Sequence, residues 1–137
     1  YIFERNSSGS WSIINNIDNN IDPTADDNSY GGIVRISGDN LIIGNQGFDT
    51  DAGVANAGRA FHYEYNGSTT WTQRQIFNGT DTVADSSYGF AMDISDDGNN
   101  YVLICEPGKP QGDGTQKGFV RAYADRATSY VGVYFDT

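Results

Sequence analysis

The sequence has one cysteine, Cys105, so no disulfide closes within the chain and a disulfide scaffold is excluded. It has one histidine, His62, and no serine in a nucleophile-elbow motif, so no zinc-ligand set and no Ser–His or Cys–His arrangement can be read from it. Acids are numerous, but nothing selects a carboxylate pair for glycoside hydrolysis. The expectation is a non-catalytic protein. Basic residues are scarce too, with 8 Lys and Arg against 18 Asp and Glu, a net charge of -10 and no basic run. That excludes a nucleic-acid partner, because phosphate binding needs clustered cations. No apolar run approaches the roughly 18 residues of a spanning helix, so membrane insertion is not expected. No signal peptide is visible, and the chain opens on Tyr1, as expected of a processed chain or a piece of a longer one.

What the chain does have is glycine (17 residues), aromatics (13%) and abundant Asn, Ser and Thr. Many turn formers, many Tyr and Phe, and no segment with a capped helical period predict an all-β protein. At 137 residues it suits one region, 1–137, rather than two domains.

Self-similarity organises that region. With Trp11 set on Trp71, YIFERNSSGSW (1–11) lies on FHYEYNGSTTW (61–71) without a gap. Tyr30-Gly31 lies on Tyr88-Gly89, NQG (45–47) on EPG (106–108), and Gly58 and Tyr63 on Gly118 and Tyr123. The period is about 60 residues, the size of a four-stranded unit. GGIVRIS (31–37) and GFAMDIS (89–95) alternate as half-buried strands. NLIIGN (40–45) and NYVLICE (100–106) read as strands covered on both faces. Gly38-Asp39 and the run 96–100 supply hairpin turns, and Asn66-Gly67 another. RAFHYEY (59–65) and TTWTQRQIF (69–77) complete one unit, and SYVGVYFDT (129–137) ends the next. The expected divisions are a half unit at 1–17 and full units at 30–77 and 88–137. Sheets of this kind need neighbours to cover their faces.

The ordered stretches YGGIVRIS, LIIGNQG and GRAFHYEY, then YGFAMDIS, VLICEPG and GFVRAY, resemble the FG-GAP repeat of integrin-α-like β-propellers. Tyr30-Gly31 and Tyr88-Gly89 match its Phe-Gly or Tyr-Gly element. Of its Gly-Ala-Pro element only Pro107 matches in the second copy, and Gly44-Asn45-Gln46 stands in the first. The resemblance implies β-propeller blades of four antiparallel strands, about two and a half of them, belonging to a larger propeller or assembly. It also implies calcium in the first hairpin of a blade. Here that hairpin is shortened to residues 38–40 and 96–100, too short to wrap an ion, so Asp96 and Asp97 read as turn residues.

Asp49 and Asp51, in GFDTDAG (47–53), alternate as calcium ligands do, but lack a third carboxylate and a closing Glu. Calcium is therefore admitted there and no cofactor is required. His62 reads as a packed strand residue and Cys105 as a packed thiol. Trp11 and Trp71 recur at one repeat position. They read as structural aromatics, with a carbohydrate-stacking platform as the alternative. Asn6, Asn66 and Asn78 head three glycosylation sequons at strand ends or turns.

The functional expectation is an extracellular, cell-surface or virion-surface module for adhesion, presenting loops to a protein or glycan ligand. Its other partners would be further blades or other copies. The rivals are a self-assembling subunit of a filament, sheath or virion appendage, and a non-catalytic part of a longer glycan-active enzyme.

Overall fold

The computed structural model describes residues 1–17, 29–68, 70–79, 83–95, 101–110, 114–115, 118–124 and 130–133. The turn expected at 96–100, Asp96 and Asp97 included, lies outside them. Ten strands are described: β1 (Ile2–Arg5), β2 (Trp11–Asn15), β3 (Tyr30–Ser37), β4 (Asn40–Asn45), β5 (Arg59–Tyr65), β6 (Trp71–Asn78), β7 (Met92–Ile94), β8 (Val102–Glu106), β9 (Phe119–Tyr123) and β10 (Tyr130–Val133). No helix occurs among the described residues, and the chain is all-β. The strands form three antiparallel sheets, β1-β2, β3-β4-β5-β6 and β7-β8-β9-β10, each with sequential neighbours paired.

Local chemistry explains the hairpins. The β3–β4 turn is the two-residue loop Gly38-Asp39 between the pair Ser37 and Asn40, with Gly38 at φ 52°. The β1–β2 and β5–β6 turns are the same structure written twice. The Asn6 Oδ1 accepts from the N–H of Ser8 (3.1 Å) and of Ser10 (2.9 Å). The Asn66 Oδ1 accepts from Ser68 (3.0 Å) and Thr70 (3.1 Å). In each, the Asn N–H also donates to the carbonyl of the fourth residue on, at 2.9 Å. An asparagine side chain that satisfies two turn amides replaces bonds a strand would otherwise make, and so ends it.

The two four-stranded sheets repeat in finer detail. Gly31 and Gly89 take φ 83° and 85°, and Gly58 and Gly118 take 80° and 70°. The Tyr30 hydroxyl meets that of Tyr63 at 3.0 Å, and the Tyr88 hydroxyl meets that of Tyr123 at 2.7 Å. One tyrosine of each pair comes from the Tyr-Gly element and the other from the third strand.

The sheets stack face to face, and alternation along β4 shows how. Leu41 and Ile43 point to one side, where they join Phe61, Tyr63 and Trp71 against Ile2 and Ile17. Ile42 points to the other, where it joins Ala60 and Phe77 against Tyr88, Met92, Ile104 and Tyr123 of the second sheet. The β1-β2 sheet, the β3–β6 sheet and the β7–β10 sheet therefore follow one another in a stack. All six β4 residues are buried, as expected of its continuous apolar run.

The second sheet departs from expectation in two ways. The alternation at 89–95 predicts a longer strand, but β7 spans only Met92–Ile94. Its start is a turn, in which the Phe90 N–H donates to the Ser87 carbonyl (3.1 Å) and left-handed Gly89 follows Tyr88. Nor is β8 covered on both faces. Val102, Ile104 and Glu106 are buried against the first sheet, whereas Leu103 is 42% exposed because no sheet covers its side among the described residues.

Candidate recognition surface

The β3–β4 and β5–β6 turns lie at one end of the strands of the first four-stranded sheet, and residues 46–58, joining β4 to β5, form a long loop at the other. This loop is anchored at every few residues. Phe48 is buried beneath the Arg59 guanidinium, 3.5 Å from its ring centroid. A tight turn at 50–54 is closed by the Thr50 N–H to the Val54 carbonyl (3.0 Å) and the Val54 N–H to the Thr50 hydroxyl (3.0 Å). The Asp49 carboxylate accepts from the Asn56 N–H at 2.8 Å.

The loop is then strapped to the segment leading into the second sheet. The N–H groups of Asp85, Ser87 and Tyr88 donate to the carbonyls of Ala55 (2.9 Å), Asn56 (3.0 Å) and Ala57 (3.0 Å). The Ser86 hydroxyl also donates to Ala57 (2.9 Å), and the Asn56 amide donates to the Asp85 carboxylate (2.8 Å). Among the described residues, the non-glycine residues with positive φ are Asn56 (49°), Asp85 (59°) and Ser87 (54°), all in this strap. Asn and Asp tolerate this region, so the cost falls mainly on Ser87, at about 1–2 kcal/mol, and the strap's hydrogen bonds hold it there. The result is a rigid loop with Asp49, Asp51 and Asp85 on an acidic surface.

Of the calcium candidates, Asp51 is exposed and Asp49 closes its own loop. Among the described residues no three His, Cys, Asp or Glu side chains converge. His62 is packed between strands, with its Nε2 2.9 Å from the Asn40 Oδ1. Cys105 is partly covered, and burial pushes its thiol pKa up.

The tryptophans share a repeat position but not an environment. Trp71 is 9% exposed and stacks on Tyr65 at 5.3 Å, whereas Trp11 is 67% exposed. Position in the repeat sets where each indole points, and only a neighbouring sheet buries it. A cleft of about 360 Å³ between the β1-β2 sheet and the first four-stranded sheet has both tryptophans in its lining, Trp11 with Phe3 from one side and Trp71 with Tyr65 from the other. Asn6 and Asn66 cap exposed turns through their side-chain oxygens. The Asn78 carbonyl oxygen accepts from the Arg59 guanidinium at 2.8 Å.

Sequence reasoning missed one buried charge pair. The Arg121 Nη2 donates to the Glu106 Oε2 at 3.3 Å, with both residues shut off from solvent and Arg121 also lying over the Phe119 ring. The other Glu106 oxygen, Oε1, has no hydrogen-bond partner. The signal was present in the repeat, since Glu106 stands where the first unit has Asn45, and Arg121 where it has Phe61. Asn45 is likewise fully buried, with neither amide atom hydrogen-bonded.

In comparisons with known proteins, no protein-family model matches the chain, and no curated protein matches it.

Proposed function

We propose that this chain is a stretch of an extracellular β-propeller, a non-catalytic adhesive module whose strapped loops recognise a protein or glycan at a cell or virion surface. The observation that carries this reading is the densely hydrogen-bonded strap between 46–58 and 83–88, which ties the loop of the first repeated sheet to the segment leading into the second. Rigid loops on a packed scaffold bind with little ordering cost. The four-stranded sheets, the repeated Tyr-Gly elements and the paired tyrosines are what FG-GAP-like blades would supply. The exposed sequon turns at Asn6 and Asn66 suit a glycosylated outer surface. Calcium at Asp49 and Asp51 is an optional addition.

The test is binding to an array of glycans and cell-surface proteins. Asn56→Ala combined with Asp85→Ala, which opens the strap, should weaken a captured ligand by about tenfold while the sheets stay folded. A ligand indifferent to that change, or no ligand at all, overturns the loop assignment. Adding calcium or chelator to the same assay tests the metal.

A second reading, a self-assembling surface subunit, is favoured by one observation. Large aromatics stand exposed at the hairpin end of the stack, at positions that are covered within it.

A further inference from the structure

We infer that the cleft between the β1-β2 sheet and the first four-stranded sheet binds a saccharide, neutral or bearing an amine, between tryptophan and carboxylate side chains. This rests on the glycan reading above but not on the strap. Asp39, Tyr65 and Trp71 stand at the turn end of their strands, and residues 46–58 at the other. The chain has two tryptophans, and both line this one cleft. Its volume of about 360 Å³ suits one or two sugar rings, at the small end of the roughly 300–1,000 Å³ of ligand sites. Trp71 is held against Tyr65 at 5.3 Å as a fixed wall, whereas Trp11 is 67% exposed. A pyranose ring presents a face of C–H groups, which packs on the electron-rich face of an indole.

The polar lining decides the class of ligand. Glu4 and Asp39 line the cleft, and among the described residues neither carboxylate is hydrogen-bonded or ion-paired. Arg5 lines it too, but its Nε is turned onto its own hairpin, donating to the Gly9 carbonyl at 3.2 Å. The charge open to a ligand is therefore negative. Carboxylates accept from sugar hydroxyls or an ammonium through charge-assisted bonds, about twice as strong as neutral ones. The Trp71 Nε1 is buried with no hydrogen-bond partner. An unpaired buried donor costs about 1–3 kcal/mol, and a saccharide hydroxyl reaching it would relieve that cost. An acyl chain would desolvate both carboxylates without pairing them. Phosphates and acidic sugars meet like charge there, on a chain whose net charge is -10.

Because both tryptophans line the cleft, indole fluorescence reports on it alone. Titration with cello-, manno- and chito-oligosaccharides and with chitosan oligomers should move the emission to shorter wavelength, saturably, for at least one series. Oligogalacturonate, the acidic control, should leave it unchanged. Trp11→Ala should weaken binding by at least about tenfold. Glu4→Gln and Asp39→Asn, which keep side-chain shape, should each weaken it about threefold to tenfold. Trp11→Phe, which keeps a ring, serves if Trp11→Ala lowers the melting temperature, and it should retain part of the affinity. Asn56→Ala with Asp85→Ala should leave binding unchanged. No saturable response to any neutral or amine-bearing series, an equal response to oligogalacturonate, or full affinity in the Trp11 and carboxylate variants would each overturn the inference. Affinity lost in the strap variant alone would overturn it too, while supporting the strap as the glycan site.

Discussion

Gly44→Ala tests the stacking of the sheets with one methyl group. Gly44 is not held in a left-handed conformation, so its backbone accepts alanine. In a free strand the change would stabilise by about 0.4–1 kcal/mol, because it restricts the unfolded chain. The structure reverses that sign. The new Cβ would overlap the Ile33 Cγ2 and lie 2.5 Å from the Gly89 carbonyl oxygen. Ile33 and Met92 can shift rotamers, but Gly89 is backbone, fixed by its N–H bond to the Cys105 carbonyl at 3.0 Å. The second sheet must move away, loosening contacts among Ile42, Met92 and Ile104. Overpacking of this kind costs about 1–3 kcal/mol. At the middle of each range the net loss is about 1.3 kcal/mol, or roughly 4–7 °C in melting temperature for a chain of this size. Thermal melts by circular dichroism measure it directly. Gly67→Ala is the informative control, because that Cβ meets nothing within 4 Å and only the φ of 78° opposes it. A Gly44→Ala chain as stable as the parent, or more stable, would refute face-to-face stacking through this glycine.

Three further outcomes are expected. Burial, and then the neighbouring Tyr123, hold the Tyr88 pKa far above the ordinary value of 10.0. Above pH 10 the unfolded chain loses a proton that the folded chain keeps, so stability falls with rising pH; denaturant melts from pH 8 to 11 should show a shallower fall in Tyr88→Phe. Arg121→Met strands Glu106 in the core and should cost about 3–5 kcal/mol, while adding Glu106→Gln should restore much of it, as a double-mutant cycle in urea would show. Asn66→Ala removes the acceptor for two turn amides and should cost about 1 kcal/mol, with Asn6→Ala costing less because its hairpin belongs to the smaller sheet; hydrogen exchange of the Ser68, Thr70, Ser8 and Ser10 amides reports both.

By itself the sequence determined whatever depends on neighbours along the chain. Alternating and continuous apolar runs placed the strands, because side chains reverse face at every residue. Asn66-Gly67 placed one turn and the repeat set Asn6 on Asn66, where the structure then showed each asparagine oxygen bonding amides two and four residues on. The repeat set Tyr30 on Tyr88 and Tyr63 on Tyr123, although the hydroxyl contacts that join Tyr30 to Tyr63 and Tyr88 to Tyr123 emerged only in three dimensions. Tertiary structure alone decided what depends on a second surface. Trp11 and Trp71 have the same local setting, yet only Trp71 has a sheet above it. The runs around Ile42 and Leu103 look equally apolar, yet β4 lies inside the stack and β8 at its end. Glu106 and Arg121 look like ordinary strand charges until stacking removes water from both. Asp49 looks like a plain loop acid until the loop folds back and gives it the Asn56 amide. Burial is a property of pairs of surfaces brought together by the fold, so no pattern within one strand can state it.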